Sequence, residues 1–336
     1  MTTIVLDAMG SDNYPDVDVR GALMAVREYD FDLILVGDEK LLREKITEYS
    51  QENEKLPIRI VHAPEMLTMD DKSDDLVRKA RHKEAQNSMA IGIDLVKNGE
   101  ANAFVTAGNT GAAMVTSLFR LGRLRGINRP ALAPTFPSAA GKALVLDIGA
   151  NPDCKPRNLV EFAILGSVYA EKVWGITKPR VGILSNGEEA GKGSNLVRET
   201  YPLLEEANIN FVGNVEGKGV FAGEVDVAVT DGFTGNIFLK TSEGVAKLMT
   251  NSIKESVMDG GILAKIGGLL IKSSMGKVRE KLDPNAVGAV PLLGVKGMVF
   301  IGHGSSSAEA IKNALRAAKE AVDVSVLASM QEAMKK

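Results

Sequence analysis

Short apolar runs recur along the chain, and between them apolar residues return every three or four positions. The runs predict strands near 2–7, 32–36, 57–62, 102–106, 143–148, 180–185, 209–213, 225–230 and 298–302. Most of these runs are continuously apolar, which is typical of parallel strands that are buried on both faces. Helical patterns fill the gaps, for example at 157–173, 191–206 and 305–333, so the sequence predicts a three-layer α/β/α sandwich.

One segment, residues 236–295, shows no convincing strand and predicts helices that leave the sheet. No repeat or low-complexity linker divides the chain, so we expect one catalytic domain over 1–336 with 236–295 as a helical excursion. Within it, the stretch 261–274 places five apolar residues on one helical face: Ile262, Leu263, Ile266, Leu269 and Leu270. That face suits a core or dimer-interface helix, and it also suits a helix that lies on a membrane surface.

Composition and charge exclude several classes of protein. The net charge of -3 gives no general attraction to nucleic acid. The lone Cys154 cannot form an internal disulfide, which fits a reducing compartment, and one cysteine with three histidines nearly excludes a structural zinc site. The first residues predict no signal peptide, and no run of about 18 apolar residues predicts a membrane span.

Glycine-rich polar segments follow six of the predicted strands. They are DAMGSDNYP at 7–15, AGNTGAAM at 107–114, DIGANPDCKP at 147–156, SNGEEAGKGS at 185–194, DGFTGN at 231–236 and HGSSSAE at 303–309. Because parallel sheets bind ligands at the carboxyl ends of their strands, we expect these segments to share one edge. A single segment of this kind is more often a helix cap, but six at one edge indicate an anion site.

The standard nucleotide-binding motifs are absent from these segments. No GxGxxG follows a strand, which excludes a dinucleotide-binding dehydrogenase. The stretch NGEEAGKGS is nearest to a P-loop, but Asn186 occupies the position of the first glycine. Gly193 stands where Ser or Thr should bind magnesium, so we also exclude a P-loop kinase.

Two segments are the best candidates for a phosphate site. AGNTGAAM opens a helix with small residues, and its candidate ligands are Gly108, Asn109, Thr110 and Gly111. In HGSSSAE, His303 follows the strand, and Ser306 with Glu309 predicts a capping box. Simple capping and a histidine satisfied within the core remain open as alternatives.

A basic cluster covers RLGRLRGINRP at 120–130. Its cations are Arg120, Arg123, Arg125 and Arg129. The cluster suits a solvated helix end, because cations favour helix C-termini. It also suits a dock for an acidic partner or a phosphorylated cofactor.

Taken in order, the strand-end motifs resemble those of the bacterial phosphate acyltransferase family, the acyl-carrier-protein:phosphate acyltransferases of phospholipid synthesis. The resemblance covers essentially the whole chain. It rests on DAMGSDNYP at 7–15, AGNTGA at 107–112, LDIGANPDCKP at 146–156, LSNGEEAGKG at 184–193, TDGFTGNIFLK at 230–240 and GVKGMVFIGHGSS at 294–306. One departure is Ser11, where the family usually has a second glycine; serine is small and keeps the turn plausible.

The resemblance implies a fold like that of the isocitrate and isopropylmalate dehydrogenases and the phosphotransacetylases, without a nucleotide or metal cofactor. It implies transfer of a long acyl chain from a carrier-protein thioester to inorganic phosphate. The acyl phosphate product would then be used by a membrane glycerol-phosphate acyltransferase. The resemblance also implies a cytoplasmic homodimer that is peripherally associated with the membrane.

For this reaction we expect phosphate at the 108–111 turn, with Asp231 and Gly232 as further ligands. The candidate catalytic residues are Asn236, which lies nearby, Lys192 and His303. Lys192 either neutralises phosphate charge or is a surface lysine, and His303 is expected to protonate the departing thiolate. We expect the arginine cluster to bind acyl carrier protein. The apolar face of 261–274 is expected to meet the acyl chain or the membrane.

Two other functions fit the same sequence. A phosphotransacetylase that uses a short acyl-CoA would share the chemistry, although acetyl transfer needs no apolar excursion. A non-catalytic scaffold that docks lipid enzymes at a membrane would instead tolerate changes in the strand-end motifs.

Overall fold

The computed structural model describes residues 1–52, 54–68, 79–80, 84–261, 263–268, 270 and 284–335. The strands are β1 (Thr3–Asp7), β2 (Asp32–Gly37), β3 (Ile58–His62), β4 (Ala103–Thr106), β5 (Ala131–Leu132), β6 (Thr135–Ser138), β7 (Gly141–Leu146), β8 (Arg180–Leu184), β9 (Asn210–Val215), β10 (Val227–Val229), β11 (Val290–Leu293) and β12 (Met298–Ile301). The helices are α1 (Asp16–Glu28), α2 (Glu39–Tyr49), α3 (Ser88–Lys97), α4 (Thr110–Arg120), α5 (Pro156–Trp174), α6 (Asn195–Glu206), α7 (Gly217–Ala222), α8 (Gly232–Asp259), α9 (Pro284–Val287), α10 (Ala308–Asp323) and α11 (Val326–Ala333). A further helical segment covers 263–268.

Within the described ranges the strands form two sheets. The first has the order β3-β2-β1-β4-β12-β11-β5, and the second has the order β6-β7-β10-β8-β9. Most neighbours are parallel. The exceptions are β11, which runs antiparallel to both β12 and β5, and β6, which runs antiparallel to β7.

The α/β alternation that the sequence predicts is confirmed, although the strands divide between two sheets instead of forming one. The expectation that 236–295 carries no strand is wrong, because β11 lies between β12 and β5 in the first sheet. Its four residues, VPLL, are few and include a proline, which weakens a strand pattern. Strands β5 and β6 also fall outside the predicted runs because they are short.

Side chains of each buried strand point alternately into two apolar clusters. In β1, Leu6 belongs to one cluster and Val5 to a second. In β7, Leu146 joins the cluster of Leu6, whereas Val145 joins a third. Burial on both faces therefore explains the continuously apolar strands. The single-domain organisation remains a prediction, and a cluster shared by both sheets supports it.

Helix α8 leaves the second sheet after β10. Its 28 residues span about 42 Å. Phe238 anchors its first part, with its ring 5.3 Å from that of Phe221 and 5.0 Å from that of Phe136. Farther along, apolar side chains such as Leu248 and Met249 are exposed. None of the helices in the described part of the chain combines the length and the hydropathy that a bilayer span requires.

Candidate active site

Three turns of the first sheet meet at the carboxyl ends of β1, β4 and β12. These strands are neighbours, and Thr106 at the end of β4 is in register with Asp7 of β1 and Ile301 of β12. The turn after β1 is tied to the turn after β12, because Asp12 N donates to the Gly304 carbonyl at 2.8 Å. The parallel register thus brings three of the glycine-rich segments together.

The turn after β4 leads directly into α4 and uses several of its own polar groups. Asn109 caps the helix, since its Oδ1 accepts from the backbone N–H three residues later at 2.9 Å. Gly108 N donates to Thr106 Oγ1 at 3.0 Å. The N–H groups of Thr110 and Gly111 stand in the first turn, where a helix has no internal acceptor for them. Two backbone donors of this kind, together with the positive end of a helix dipole, are the features that bind anions at helix N-termini.

His303 stands beside this turn at the end of β12, and its ring is exposed. Its Nδ1 accepts from Ser305 N at 3.2 Å and lies 2.8 Å from Ser305 Oγ. The backbone donor at Nδ1 favours the tautomer that carries its proton on Nε2, so the ring presents an N–H donor. The predicted Ser306 cap is wrong, because Ser307 caps α10 by accepting from Ala310 N at 3.2 Å.

Asp147 organises the turns of the second sheet. It follows β7, is fully buried, and accepts from Leu132 N at 2.9 Å and from Asn151 N and Nδ2 at 2.6 and 2.9 Å. Asn151 Nδ2 also donates to the Pro130 carbonyl at 2.7 Å. Burial raises the pKa of Asp147, and these donors oppose the rise. Because it accepts from Leu132 in β5 and from Asn151 in the β7 turn, the Asp147 carboxylate joins this turn to the first sheet. Sequence reasoning noted the DIGANPDCKP segment but not this role.

The turn after β10 packs against the turn after β7. Gly232 N donates to the Asn151 carbonyl at 2.8 Å, and a β-carbon on Gly232 would lie 2.7 Å from Asp147 Oδ2. Asp231 caps α8, because its carboxylate accepts from Thr234 N at 2.9 Å and from Thr234 Oγ1 at 2.8 Å. Asp231 and Gly232 therefore hold the turn in place. Because both residues are engaged within the turn, they do not fit the role of direct phosphate ligands that the sequence predicts for them.

Asn236 and Lys192 both lie at the carboxyl edge of the second sheet. Asn236 is on the first turns of α8, and a β-carbon on Gly149 would be 3.7 Å from its amide. Lys192 is in the loop after β8, the strand that pairs with β10. Both side chains are exposed, so both present polar groups at this edge.

The two sets of turns border the same apolar cluster. Ala150 of the β7 turn and Met114 of α4 both pack against it. Leu132 of β5 links the sets further, since its carbonyl accepts from Ile148 N at 3.2 Å. The residues expected in one site thus fall into two adjacent sets. The first sheet carries Gly108, Asn109, Thr110, Gly111 and His303, and the second carries Lys192, Asp231, Gly232 and Asn236.

Cys154, which follows the β7 turn, is not poised as a nucleophile. Its thiol donates to the Asn151 carbonyl at 3.4 Å, and burial raises its pKa to about 12. The thiol stays protonated at neutral pH, whereas the thiolate is the reactive form. Among the described residues, no group of three or more His, Cys, Asp or Glu side chains is arranged to hold a metal ion.

The four arginines of the basic cluster separate into two groups. Arg120 has only 8% of its side chain exposed and forms an ion pair with Asp94. Arg123, Arg125 and Arg129 are exposed. A partner protein can reach Arg123, Arg125 and Arg129 directly. Arg120 is buried in its ion pair, so we no longer include it among the arginines expected to bind acyl carrier protein.

The apolar face expected at 261–274 is described in part. Leu263, Ile266 and Leu270 are 85%, 53% and 76% exposed. Ile262 and Leu269 lie outside the described residues. The three exposed side chains contradict a core helix and leave dimer contact and membrane contact as the two interpretations.

Solved structures with the same architecture include phosphotransacetylases. The EutD phosphotransacetylase from Staphylococcus aureus aligns with a TM-score of 0.58 and 17% identity, covering 95% of this chain and 94% of its own. A phosphotransacetylase from Streptococcus pyogenes gives 0.60 and 17%, with 100% and 94% covered. The 4-hydroxythreonine-4-phosphate dehydrogenase from Klebsiella pneumoniae gives 0.52 and 12%, with 96% and 98% covered. These likenesses confirm the expected dehydrogenase- and phosphotransacetylase-like fold.

Closer relatives share far more of the sequence. The phosphate acyltransferase of Acidobacterium capsulatum is 46% identical over 95% of this chain and 93% of its own length. The phosphate acyltransferase of Geobacter sulfurreducens is 44% identical over 98% of this chain and 94% of its own length. A family model described as "Fatty acid synthesis protein" matches residues 2–329. The chain therefore belongs to this fatty acid synthesis protein family.

Proposed function

We propose that the protein transfers a long acyl chain from the thioester of acyl carrier protein to inorganic phosphate, forming an acyl phosphate for phospholipid synthesis. Its family and its relatives named phosphate acyltransferase, which match nearly the whole chain, support this activity. The observation that carries the proposal is the N-terminus of α4, where two backbone donors and a neutral cap offer an anion site.

The caps distinguish the two helix N-termini at the candidate site. Helix α4 is capped by the neutral amide of Asn109, whereas α8 is capped by the carboxylate of Asp231. A negative charge at the start of α8 repels phosphate, so this helix N-terminus is better suited to bind an uncharged group. We therefore assign phosphate to the N–H groups of Thr110 and Gly111, and the thioester to the neighbourhood of Asn236.

The reaction needs no covalent enzyme intermediate. A phosphate oxygen attacks the thioester carbonyl carbon, a C–O bond forms, and the carbonyl oxygen takes up negative charge. Collapse of the tetrahedral intermediate breaks the C–S bond and releases a thiolate, which takes up the proton that hydrogen phosphate loses in becoming the acyl phosphate. The protein has to hold the reactants together and stabilise the oxyanion. We assign the Asn236 amide to the oxyanion, the Lys192 ammonium group to the phosphate charge, and the His303 Nε2–H to the departing sulfur.

The carrier protein is assigned to the surface around Arg123, Arg125 and Arg129. This surface borders a depression of about 610 Å³ that is lined in part by Phe119 and Leu124. Of the three arginines, Arg123 lines the depression beside these apolar side chains, and a cation in this position fits an acidic partner that presents an apolar side chain. Helix α4 joins this surface to the phosphate turn, and its 11 residues span about 16 Å. The thioester therefore has to reach the site on a flexible arm.

The exposed apolar side chains of α8 are assigned to contact between two copies of the chain. Phe233, Leu248 and Met249 are 63%, 65% and 57% exposed. Apolar side chains exposed together along one helix indicate an interface. The segment 263–268, together with Leu270, is assigned to the membrane surface, where the product meets a membrane glycerol-phosphate acyltransferase. The protein would then be a cytoplasmic homodimer that associates peripherally with the membrane.

The test is to incubate the purified protein with a long-chain acyl carrier protein and inorganic phosphate, and to detect acyl phosphate directly by mass spectrometry. We expect acyl phosphate to form only when the protein and phosphate are both present. A parallel reaction with acetyl-CoA should give little product. Product from acetyl-CoA alone would favour a phosphotransacetylase, and no product from either donor would overturn the proposal.

A further inference from the structure

The turn that carries Thr110 and Gly111 is held from beneath by two buried polar side chains, Asp7 and Thr106. They end β1 and β4 and are 1% and 0% exposed. Thr106 Oγ1 donates to Asp7 Oδ2 at 2.8 Å and accepts from Gly108 N at 3.0 Å. A threonine hydroxyl has one hydrogen, so its hydrogen goes to the carboxylate and a lone pair receives the backbone N–H.

We infer that the Asp7–Thr106 pair is a positioning device that sets the direction of the backbone donors in the phosphate turn. The inference rests on the proposed function, because it concerns the same phosphate site. Thr106 fixes the peptide that enters the turn at Gly108, and α4 begins two residues later. A rotation of that peptide would also turn the N–H groups of Thr110 and Gly111 away from the anion.

The turn after β1 encloses the pair from the other side. A β-carbon on Gly10 would lie 2.8 Å from Thr106 Oγ1, 2.8 Å from Gly108 N and 3.0 Å from Asp7 Oδ2. Met9 N donates to the other carboxylate oxygen, Asp7 Oδ1, at 3.2 Å. Both oxygens of Asp7 therefore have donors, and a hydroxyl packed this closely has little freedom to rotate.

Positioning and simple stabilisation predict different kinetics. Both side chains lie beneath the turn, so neither is expected to touch phosphate. If the pair positions the turn, its loss weakens phosphate binding and spares the acyl donor, which is assigned to the second sheet. If the pair only stabilises the fold, its loss lowers the unfolding temperature and leaves the phosphate dissociation constant unchanged.

Three variants separate these roles. Thr106→Val removes the hydroxyl and keeps the shape, whereas Thr106→Ser keeps the hydroxyl. Thr116→Val is the matched control, because Thr116 is also 0% exposed but its Oγ1 has no hydrogen-bond partner among the described residues. Calorimetric titration of the whole protein with inorganic phosphate gives the Kd, and steady-state kinetics give both KM values.

We expect Thr106→Val to raise the phosphate Kd about tenfold, the equivalent of one buried hydrogen bond, with the acyl-donor KM unchanged. Thr106→Ser should restore most of the affinity, and Thr116→Val should match the wild type. A phosphate Kd unchanged in Thr106→Val, or raised equally in Thr116→Val, overturns the inference.

A folding defect in Thr106→Val would not end the test. Asp7→Ala removes the acceptor that orients the Thr106 hydroxyl, and it should also raise the phosphate Kd while sparing the acyl donor. An unchanged Kd in a folded Asp7→Ala variant contradicts the inference. Calorimetry needs no turnover, so a wild type that binds phosphate but forms no acyl phosphate refutes the proposed function separately.

Discussion

Asp18, a buried carboxylate on α1, should make the stability of the protein fall as the pH rises. The side chain is fully buried, and its Oδ2 accepts from Ser11 Oγ at 2.6 Å. Its Oδ1 has no hydrogen-bond partner in the described part of the chain. Burial, together with the nearby charge of Asp7, raises the pKa of Asp18 from its ordinary value of 3.8 to about 7.

The sign of the effect follows from the protons that each state binds. In the unfolded chain Asp18 loses its proton near pH 3.8, whereas in the folded protein it keeps the proton until near pH 7. Between these values the folded state holds the extra proton, so the free energy of unfolding falls as the pH rises and levels off above pH 7. Each pH unit in this window lowers the free energy of unfolding by about 1.4 kcal/mol, so the ionisation of Asp18 should contribute a loss of about 3 kcal/mol between pH 5 and pH 8.

Urea unfolding of the wild type and Asp18→Asn at these two pH values measures the effect. Asparagine cannot ionise but still offers Ser11 an acceptor, so the variant should gain about 3 kcal/mol relative to the wild type on going from pH 5 to pH 8. Asp30→Asn changes an exposed aspartate just after α1 and should follow the wild type. Parallel pH profiles for the wild type and Asp18→Asn would refute the reasoning, because Asp18 would then titrate alike in both states.

Three further predictions concern the site and its surfaces. Asn109→Asp keeps the cap of α4 but brings a negative charge to the turn, so the phosphate KM should rise about tenfold, and neutral Asn109→Ser should raise it far less. The double substitution Arg123→Glu and Arg125→Glu should raise the KM for acyl carrier protein about tenfold, most strongly at low salt, and leave the phosphate KM unchanged. The double substitution Leu263→Glu and Leu270→Glu should abolish flotation of the protein with phosphatidylglycerol vesicles and leave the unfolding transition unchanged.

Controls for these three predictions lie elsewhere on the chain. Lys55→Glu reverses an exposed charge outside the basic cluster and should leave the carrier KM unchanged. Val324→Glu adds a charge at an apolar side chain that is 41% exposed and far along the sequence from Leu263 and Leu270, so flotation should survive it. Equal phosphate KM values for the two Asn109 variants would contradict the phosphate assignment. An unchanged KM for acyl carrier protein in the double arginine variant would contradict the carrier assignment, and flotation that persists in the double leucine variant would contradict the membrane assignment.

The buried strands can be predicted from the sequence because burial on both faces sets their pattern. The observed bounds of β1 and β4, Thr3–Asp7 and Ala103–Thr106, agree with the predicted runs to within one residue at each end. The same pattern cannot reveal β11, because four residues with one proline carry little local signal. That strand is defined by its position between β12 and β5, which is a property of the tertiary structure.

The candidate site residues can be predicted by type and by position, but their partners cannot. Arg120 pairs with Asp94, which lies 26 residues earlier, and only the folded chain shows that this pairing removes it from the surface. Gly108 N is bound by Thr106, a strand residue that the turn motif does not include. Ser11 stands where the resemblance predicts a second glycine, and its contact with Asp18 gives the hydroxyl a buried partner that the sequence does not reveal.

Helix capping and anion binding draw on the same residue types, so composition alone cannot assign a glycine-rich strand end to either role. The charge of the cap separates them. Asn109, Ser194 and Ser307 cap α4, α6 and α10 with neutral side chains, whereas Asp231 caps α8 with a carboxylate. A carboxylate cap already offsets the positive end of the helix dipole, so α8 has less to offer a phosphate than α4. We therefore expect phosphate at strand ends with a neutral cap followed by small residues, a rule that can be applied to sequence alone.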